Sequence, residues 1–347
     1  MQEKRVEVAD LLKGLAVICM IQVHVLELFT TSGFQESKLA TLLFFLGAAP
    51  VAPVFMIVLG YFLAASKKST AQTCLRGIKA FGLGLLLNLG LNFNLIIKIT
   101  KGEIQLNVWP YVFGVDILLF AGLAIIILAV LKKLLEKNIF VPVVLIGIIL
   151  LGGEFLTKNV AQTTEFNYVI SFFYGSSEWS YFPLMPWLAY PLTGFIIFQF
   201  AKTKIEYNRN AVYLKIVVFA SFFVFVFFTY KEASNISKDL PNYYHHGMLF
   251  YVWALIFIGP YAMMLKSVNA SIGNTLFMLF VKFLGKNVTL IYVIQWLIIG
   301  NTATEIYRSL SSSMRIGFVY LAVLILSSLL AYALVVLRKF VLKLKAK

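Results

Sequence analysis

The sequence predicts an all-α protein, a polytopic integral membrane helical bundle of about ten spans with both termini in the cytoplasm. Long apolar blocks, few charges and basic residues between the blocks predict this class. Of the 347 residues, 61% are hydrophobic and 13% are charged, whereas a soluble domain carries about 25% charged residues. The apolar blocks approach the ~20 residues that a helix needs to cross a bilayer. Soluble folds are therefore excluded.

Ten apolar blocks are candidate spans. The first follows a charged N-terminus as in a secretory signal, but it contains Asp10 and Lys13 and lacks an A-x-A cleavage pattern, so we interpret it as a retained span. No repeat of fixed period and no Pro- or Gly-rich linker is present, so residues 1–347 are predicted to form one domain. The predicted spans are 11–31, 42–65, 80–99, 109–131, 139–157, 181–201, 211–230, 246–265, 283–301 and 315–337.

The basic residues predict the orientation of these spans. If the chain starts inside, the cytoplasmic stretches hold 22 Lys and Arg residues and the external stretches hold 8, as the positive-inside rule requires. The net charge of +15 could suggest nucleic-acid binding, but the basic residues are spread along span ends and form no single patch. Membrane topology therefore explains the positive net charge, and no nucleic-acid partner is predicted.

Ionisable side chains at bilayer depth are candidates for function because they are costly in lipid. His24 lies about 21 Å beyond Asp10 along a helix, which places its imidazole in the outer half of the membrane on the same helix face. An imidazole accepts and returns protons near neutral pH, and a carboxylate bonded to its other nitrogen would fix the tautomer. Glu27, one turn outward, and Asp116, about seven residues into the fourth span, are the candidates for that carboxylate.

Structural alternatives stay open for these residues. His24 and Asp116 could form an interhelical hydrogen bond without a catalytic role, and Glu27 could simply reach the outer interface. His245 and His246 form an external pair, but adjacent histidines without a third spaced ligand are a poor metal signal. We expect them at the surface or rim, and no metal site is predicted.

Prolines interrupt two of the predicted spans. Pro50 and Pro53 lie in the second span, and Pro183, Pro186 and Pro191 lie in the sixth. Proline frees carbonyl groups from the helical ladder, and such backbone is tolerated at membrane depth where it is packed in protein or lines a wet cavity. These spans are expected to border a cavity, with a simple kink as the alternative.

Two basic residues before the third span have two interpretations. Arg76 and Lys79, beside Lys67 and Lys68, could hold the phosphates of a nucleotide-type cofactor at the cytoplasmic mouth. They could equally be topological anchors of the positive-inside kind. Both interpretations stay open.

The N-terminal motif resembles the opening of the transmembrane acyltransferase superfamily, R-x4-D-x2-R-G-x9-H. Here the matching residues are Arg5, Asp10, Lys13-Gly14 and His24. The branch that the chain resembles is the heparan-α-glucosaminide N-acetyltransferase-like bacterial proteins. Lys13 departs from the motif, because lysine lacks the planar fork of the arginine that usually follows the aspartate.

Further motifs of this branch follow in the same order, so that the resemblance runs from about residue 5 to 298. They are Ala49-Pro50 to Phe55 with Leu59-Gly60-Tyr61, Gly114 to Gly122, Phe182 to Gly194, and Leu284-Gly285-Lys286 to Tyr292.

The resemblance implies acyl transfer across a membrane, which would be the bacterial cytoplasmic membrane. Acyl-CoA, by default acetyl-CoA, would bind as co-substrate at the cytoplasmic side, and a hydroxyl or amine of an extracytoplasmic glycan or glycolipid would receive the acyl group. His24 would be the catalytic imidazole, while Arg5, Asp10 and Lys13 would shape the inner end of the acyl-CoA site. The alternative is a transporter or flippase for a glycan or lipid-linked intermediate, because kinked spans and buried charges also suit a substrate path.

Overall fold

The computed structural model describes residues 6–160, 168–202 and 212–345. These residues form helices joined by turns, a short 3-10 helix at Ile170–Phe172 and one isolated parallel β-bridge, between Thr30 and Leu310. The helices are α1 (Glu7–Phe29), α2 (Ser32–Gln35), α3 (Lys38–Ala48), α4 (Val51–Ala65), α5 (Thr70–Leu91), α6 (Phe93–Thr100), α7 (Trp109–Phe113), α8 (Ile117–Lys137), α9 (Phe140–Asn159), α10 (Leu184–Trp187), α11 (Ala189–Lys202), α12 (Val212–Lys238), α13 (Leu240–Tyr244), α14 (Met248–Ile272), α15 (Leu276–Lys286), α16 (Val288–Ile306) and α17 (Ser313–Lys345).

The number of apolar helices confirms a polytopic all-α membrane protein of about ten spans. Within the described ranges, nine helical segments are long and apolar enough to cross a membrane, and α15 with α16, bent by 85°, makes a tenth. The cytoplasmic placement of both termini stays a prediction.

The third span differs from its predicted range of 80–99, because α5 begins ten residues earlier. Ser69 and Gln72 form a capping box at its start. The Gln72 backbone N–H donates to Ser69 Oγ, and the Ser69 backbone N–H donates to Gln72 Oε1, each at 3.3 Å, which satisfies donors that a helix start leaves free. Arg76 and Lys79 therefore lie on this helix and not in a connector before it.

The fourth span, predicted as 109–131, begins later than expected. It is α8, and α7 precedes it across an extended link. In that link the Val115 N–H donates to the Trp179 carbonyl at 2.8 Å, and the Val115 carbonyl accepts from the Phe182 N–H at 2.9 Å. Because Val115 forms these bonds and no helical ones, α8 starts after this link, and Asp116 is the residue just before it. Asp116 therefore lies at the start of this helix and not about seven residues into the span, as was predicted.

The helices break near Pro50 and Pro183, whereas Pro53 and Pro191 lie inside α4 and α11. Pro50 lies in the turn between α3 and α4. In the sixth span Pro183 immediately precedes α10, and Met185 has non-helical dihedral angles, φ −104° and ψ 117°. That these spans border a cavity stays a prediction.

The described helices pack as two compact units. His24 belongs to the first unit, and Asp116 belongs to the second. The prediction of one domain over the whole chain is not tested by this division. The first unit comprises described residues 6–51, 90–101 and 262–345. The second comprises described residues 52–89, 102–160, 168–202 and 212–261.

Candidate active site

The first unit depends on close packing of α1 against α15. A Cβ at Gly14 of α1 would overlap the Val281 carbonyl, and a Cβ at Gly285 of α15 would overlap the Asp10 carbonyl. The two backbones are therefore in direct contact, which only glycine permits at these positions. Gly285 lies in the Leu-Gly-Lys motif, and Gly14 follows Lys13 of the N-terminal motif.

Charged groups gather at the N-terminal end of α1. Asp10 is 5% exposed, and its Oδ1 lies 3.2 Å from Lys13 Nζ. Glu7 Oε2 accepts hydrogen bonds from Lys282 Nζ at 3.0 Å and from Asn269 Nδ2 at 2.9 Å. A pocket of about 410 Å³ opens beside Glu7 and Lys282. The buried carboxylate of Asp10 is thus balanced by a neighbouring cation one turn away.

His24 lies towards the other end of α1, against α16. Its Nδ1–H donates to Gln295 Oε1 at 3.2 Å, and its ring contacts the Trp296 indole with centroids 4.1 Å apart. An amide oxygen only accepts hydrogen bonds, so Nδ1 carries the proton and Nε2 keeps the lone pair. The imidazole therefore has the form that a general base requires.

Two buried N–H groups beside His24 have no acceptor. Gln295 is fully buried, and neither its Nε2 nor Trp296 Nε1 has a hydrogen-bond partner among the described residues. Buried donors of this kind are rare, because each costs about 1–3 kcal/mol. The two donors beside His24 are therefore available to a further hydrogen-bond acceptor.

Gln295 and Trp296 were not among the residues predicted from the sequence. The available signal was a glutamine inside an apolar span, three residues after Tyr292 of the Leu-Gly-Lys-x-x-Leu-x-Tyr motif. An uncharged amide costs less to bury than a charge, so it stands out less from the apolar sequence than His24 does.

The turn after α16 holds the C-terminal end of α1. The Arg308 N–H donates to the Leu28 carbonyl at 2.9 Å, and Arg308 adopts a left-handed φ of 48°. The charge of Arg308 acts electrostatically on Glu27, whereas His24 Nδ1 bonds to Gln295. A catalytic role for Glu27 stays a prediction.

A family model decides the relationship of this chain to known proteins. The model for the catalytic domain of heparan-α-glucosaminide N-acetyltransferase matches residues 5–230, more than half of the chain and all of α1. The chain belongs to this family. The predicted resemblance is confirmed, although α15 and α16 lie beyond the matched residues. A search of curated proteins and a search of solved structures each found no match.

The remaining predicted site residues of this N-acetyltransferase family member lie in several parts of the chain. Arg5 lies outside the described residues. Arg76 and Lys79 are exposed on α5 of the second unit, and Asp116 is half-buried there, so a meeting of Asp116 with His24 stays a prediction. Within residues 6–160, 168–202 and 212–345, no three His, Cys, Asp or Glu side chains form a group that could hold a metal ion.

His246 is buried, which corrects its expected place at the surface or rim. It is 5% exposed; its Nδ1–H donates to the Tyr243 carbonyl at 2.7 Å, and its Nε2 accepts from Tyr190 Oη at 2.8 Å. Burial lowers the pKa of His246 to about 4, against the raising effect of the Tyr243 carbonyl, and the charge of His245 lowers it further. Both ring nitrogens are used, which indicates a structural histidine.

Proposed function

We propose that this protein is an acyl-CoA-dependent acyltransferase that transfers an acetyl group from cytoplasmic acetyl-CoA to an extracytoplasmic glycan or glycolipid. The observation that carries the proposal is the His24 imidazole, whose Nδ1–H is bonded to Gln295 so that Nε2 is the basic atom. Membership of the N-acetyltransferase family supports the transferred group. The expected location is the bacterial cytoplasmic membrane.

The proposed reaction uses His24 first as a base and then as an acid. His24 Nε2 takes the proton from the acceptor hydroxyl or amine while that oxygen or nitrogen bonds to the thioester carbon. The carbon–sulfur bond then breaks, and the CoA thiolate leaves with the proton from the imidazolium. His24 returns to its starting tautomer, with Gln295 holding the Nδ1 proton throughout.

The N-terminal end of α1 suits the approach of the donor. The pocket beside Glu7 opens at that end, and the Asp10–Lys13 pair lies one turn further along α1. We expect Asp10 and Lys13 to shape the inner end of the acyl-CoA site, together with Arg5. The reactive end of an extended thioester would then have to reach about 21 Å along the helix to His24.

The test of the proposed function is acetyl transfer and CoA binding by the purified protein in detergent. His24→Ala is expected to lower kcat about 10³-fold, the usual size of a general-base contribution, with unchanged CoA affinity and a retained cooperative thermal unfolding transition. His245→Ala is the matched histidine control and should keep the wild-type rate. Glu27→Gln and Asp116→Asn are expected to slow transfer about tenfold, equivalent to roughly 1.4 kcal/mol.

Two results would contradict the proposal. Wild-type protein that binds no CoA would exclude an acyl-CoA enzyme and favour the transporter or flippase alternative. A His24→Ala variant with the full rate of transfer would exclude His24 as the base.

The phosphate contacts predicted for Arg76 and Lys79 have a separate test. Arg76→Ala and Lys79→Ala should each raise KM for acetyl-CoA about tenfold, equivalent to roughly 1.4 kcal/mol, with little change in kcat. Lys101→Ala removes another exposed lysine and serves as the control. If KM stays constant in both variants, these residues are topological anchors.

A further inference from the structure

Two unsatisfied donors lie on consecutive residues of α16, beside the proposed catalytic base. Gln295 Nε2 and Trp296 Nε1 are buried and have no acceptor among the described residues. Because consecutive residues of a helix point about 100° apart, they approach His24 from different directions. Gln295 bonds to the Nδ1 edge of its ring, and Trp296 contacts its face.

An acceptor that arrives with the substrate would pair with both donors. The proposed reaction supplies such an acceptor, because attack on a thioester moves the carbonyl π electrons onto oxygen and makes it an anion. Two N–H groups held in a water-poor site stabilise that charge far more than they would in water.

We propose that Gln295 Nε2 and Trp296 Nε1 donate hydrogen bonds to the acyl carbonyl oxygen of the thioester and form the oxyanion hole of this site. The inference rests on the proposed function and deepens it. In the attack step a carbon–oxygen or carbon–nitrogen bond forms, the carbonyl becomes an oxyanion held by both donors, and His24 Nε2 holds the acceptor's proton. On collapse the carbonyl re-forms, and the thiolate leaves with that proton.

The amide oxygen and the amide nitrogen of Gln295 therefore have different roles. Oε1 positions the His24 tautomer, and Nε2 contacts the substrate. Gln295→Glu separates them, since a carboxylate still accepts from Nδ1–H but cannot donate and places a negative charge beside the oxyanion. Trp296→Phe removes the indole N–H while keeping an aromatic ring against His24.

The decisive experiment measures kcat and KM for acetyl-CoA in these two variants. Each is expected to lose about 100-fold or more in kcat, the effect of removing one oxyanion donor, with KM changed less than threefold. The matched control is Gln22→Leu, which removes another buried amide nitrogen without a partner. It lies on α1 about 200° around the helix from His24, so its kcat should be that of the wild type.

Different results separate this inference from the proposed function. Wild-type kcat in Trp296→Phe and Gln295→Glu, with loss of activity in His24→Ala, would overturn the oxyanion hole alone. Wild-type protein that binds no CoA would overturn the proposed function, and full activity in His24→Ala would exclude His24 as the base. A loss that Gln22→Leu shares equally would show general damage to packing and would also overturn the oxyanion hole.

A measurement on the wild type decides the question if either variant fails to fold. The probe is the nonreactive ketone analogue of acetyl-CoA, with a methylene in place of the thioester sulfur. Hydrogen bonds from both donors should lower the infrared stretching frequency of its carbonyl on binding, relative to the analogue in water. An unshifted or raised frequency would overturn the inference.

Discussion

At the scale of single residues, His24 and His246 differ in how their ring nitrogens are used. His246 bonds through both nitrogens, to the Tyr243 carbonyl and to the Tyr190 hydroxyl. His24 bonds through Nδ1 to Gln295, and its Nε2 bonds to none of the residues that the structure describes. A histidine with a free basic atom and unsatisfied donors beside it is suited to chemistry, whereas one with both nitrogens satisfied stabilises packing.

The burial of His246 predicts a pH dependence of stability. Its pKa is lowered from 6.5 to about 4, so between these values the unfolded chain binds a proton that the folded chain does not. The free energy of unfolding should therefore fall by about 3 kcal/mol as the pH drops from 6.5 to 4. Denaturant titrations in detergent at several pH values measure this slope.

The matched variants for this slope are His246→Gln and His245→Gln. Burial also lowers the pKa of His245, so that residue adds a smaller contribution of the same sign. His246→Gln should remove the larger part of the slope, and His245→Gln the smaller part. A His246→Gln protein with the wild-type slope would show that His246 is not the titrating group.

Sequence alone singled out His24 but not the residues around it. An imidazole in an apolar span is conspicuous because ionisable groups are costly there, and Asp10 and Lys13 gave a motif. The hydrogen-bond partner of His24 could not be predicted, since Gln295 is 271 residues away in the chain. Only the packing of α16 on α1 brings the two residues together. Charge drew attention to Glu27, although the group that accepts the hydrogen bond from His24 is the neutral amide of Gln295.

At the scale of elements, the contact between α1 and α15 places both motifs of the first unit. Gly285→Ala is expected to destabilise the protein by about 1–3 kcal/mol, because a Cβ there would overlap the Asp10 carbonyl and overpacking costs about that much. Chemical denaturation in detergent provides the measurement.

Gly317→Ala is the control for this packing. Gly317 lies in α17 with open space where the Cβ of an alanine would lie, so alanine should be neutral or stabilise the helix by up to about 1 kcal/mol. Equal stability of Gly285→Ala and the wild type would contradict the close contact.

Helix identity could be predicted for most spans, but some boundaries could not. Hydrophobicity marks the apolar middle of a span, whereas its start depends on local bonds such as the capping box of Ser69 and Gln72. The 85° bend between α15 and α16 was also missed, because the predicted span of 283–301 runs across it. Asn287, with φ −118° and ψ 25°, ends α15 and precedes α16.

At the scale of the whole molecule, the orientation in the membrane is the main prediction from charge. Fusion of a fluorescent protein to the C-terminus should give full fluorescence, and fusion of alkaline phosphatase should give no activity, because both ends are predicted to be cytoplasmic. A fusion at Lys101, in a predicted external segment, should give the opposite pattern. Phosphatase activity at the C-terminus would reverse the orientation and with it the expected side of the donor.

The chemistry proposed for the molecule depends on His24 Nε2 meeting the acyl group of the donor. The most direct test is a cryo-electron microscopy map of the wild-type protein with the ketone analogue of acetyl-CoA. The acyl carbon is expected about 4–6 Å from His24 Nε2, with room for one acceptor oxygen or nitrogen between them. An acyl group bound elsewhere, or a His24 ring closed off from it by other side chains, would contradict the proposed chemistry.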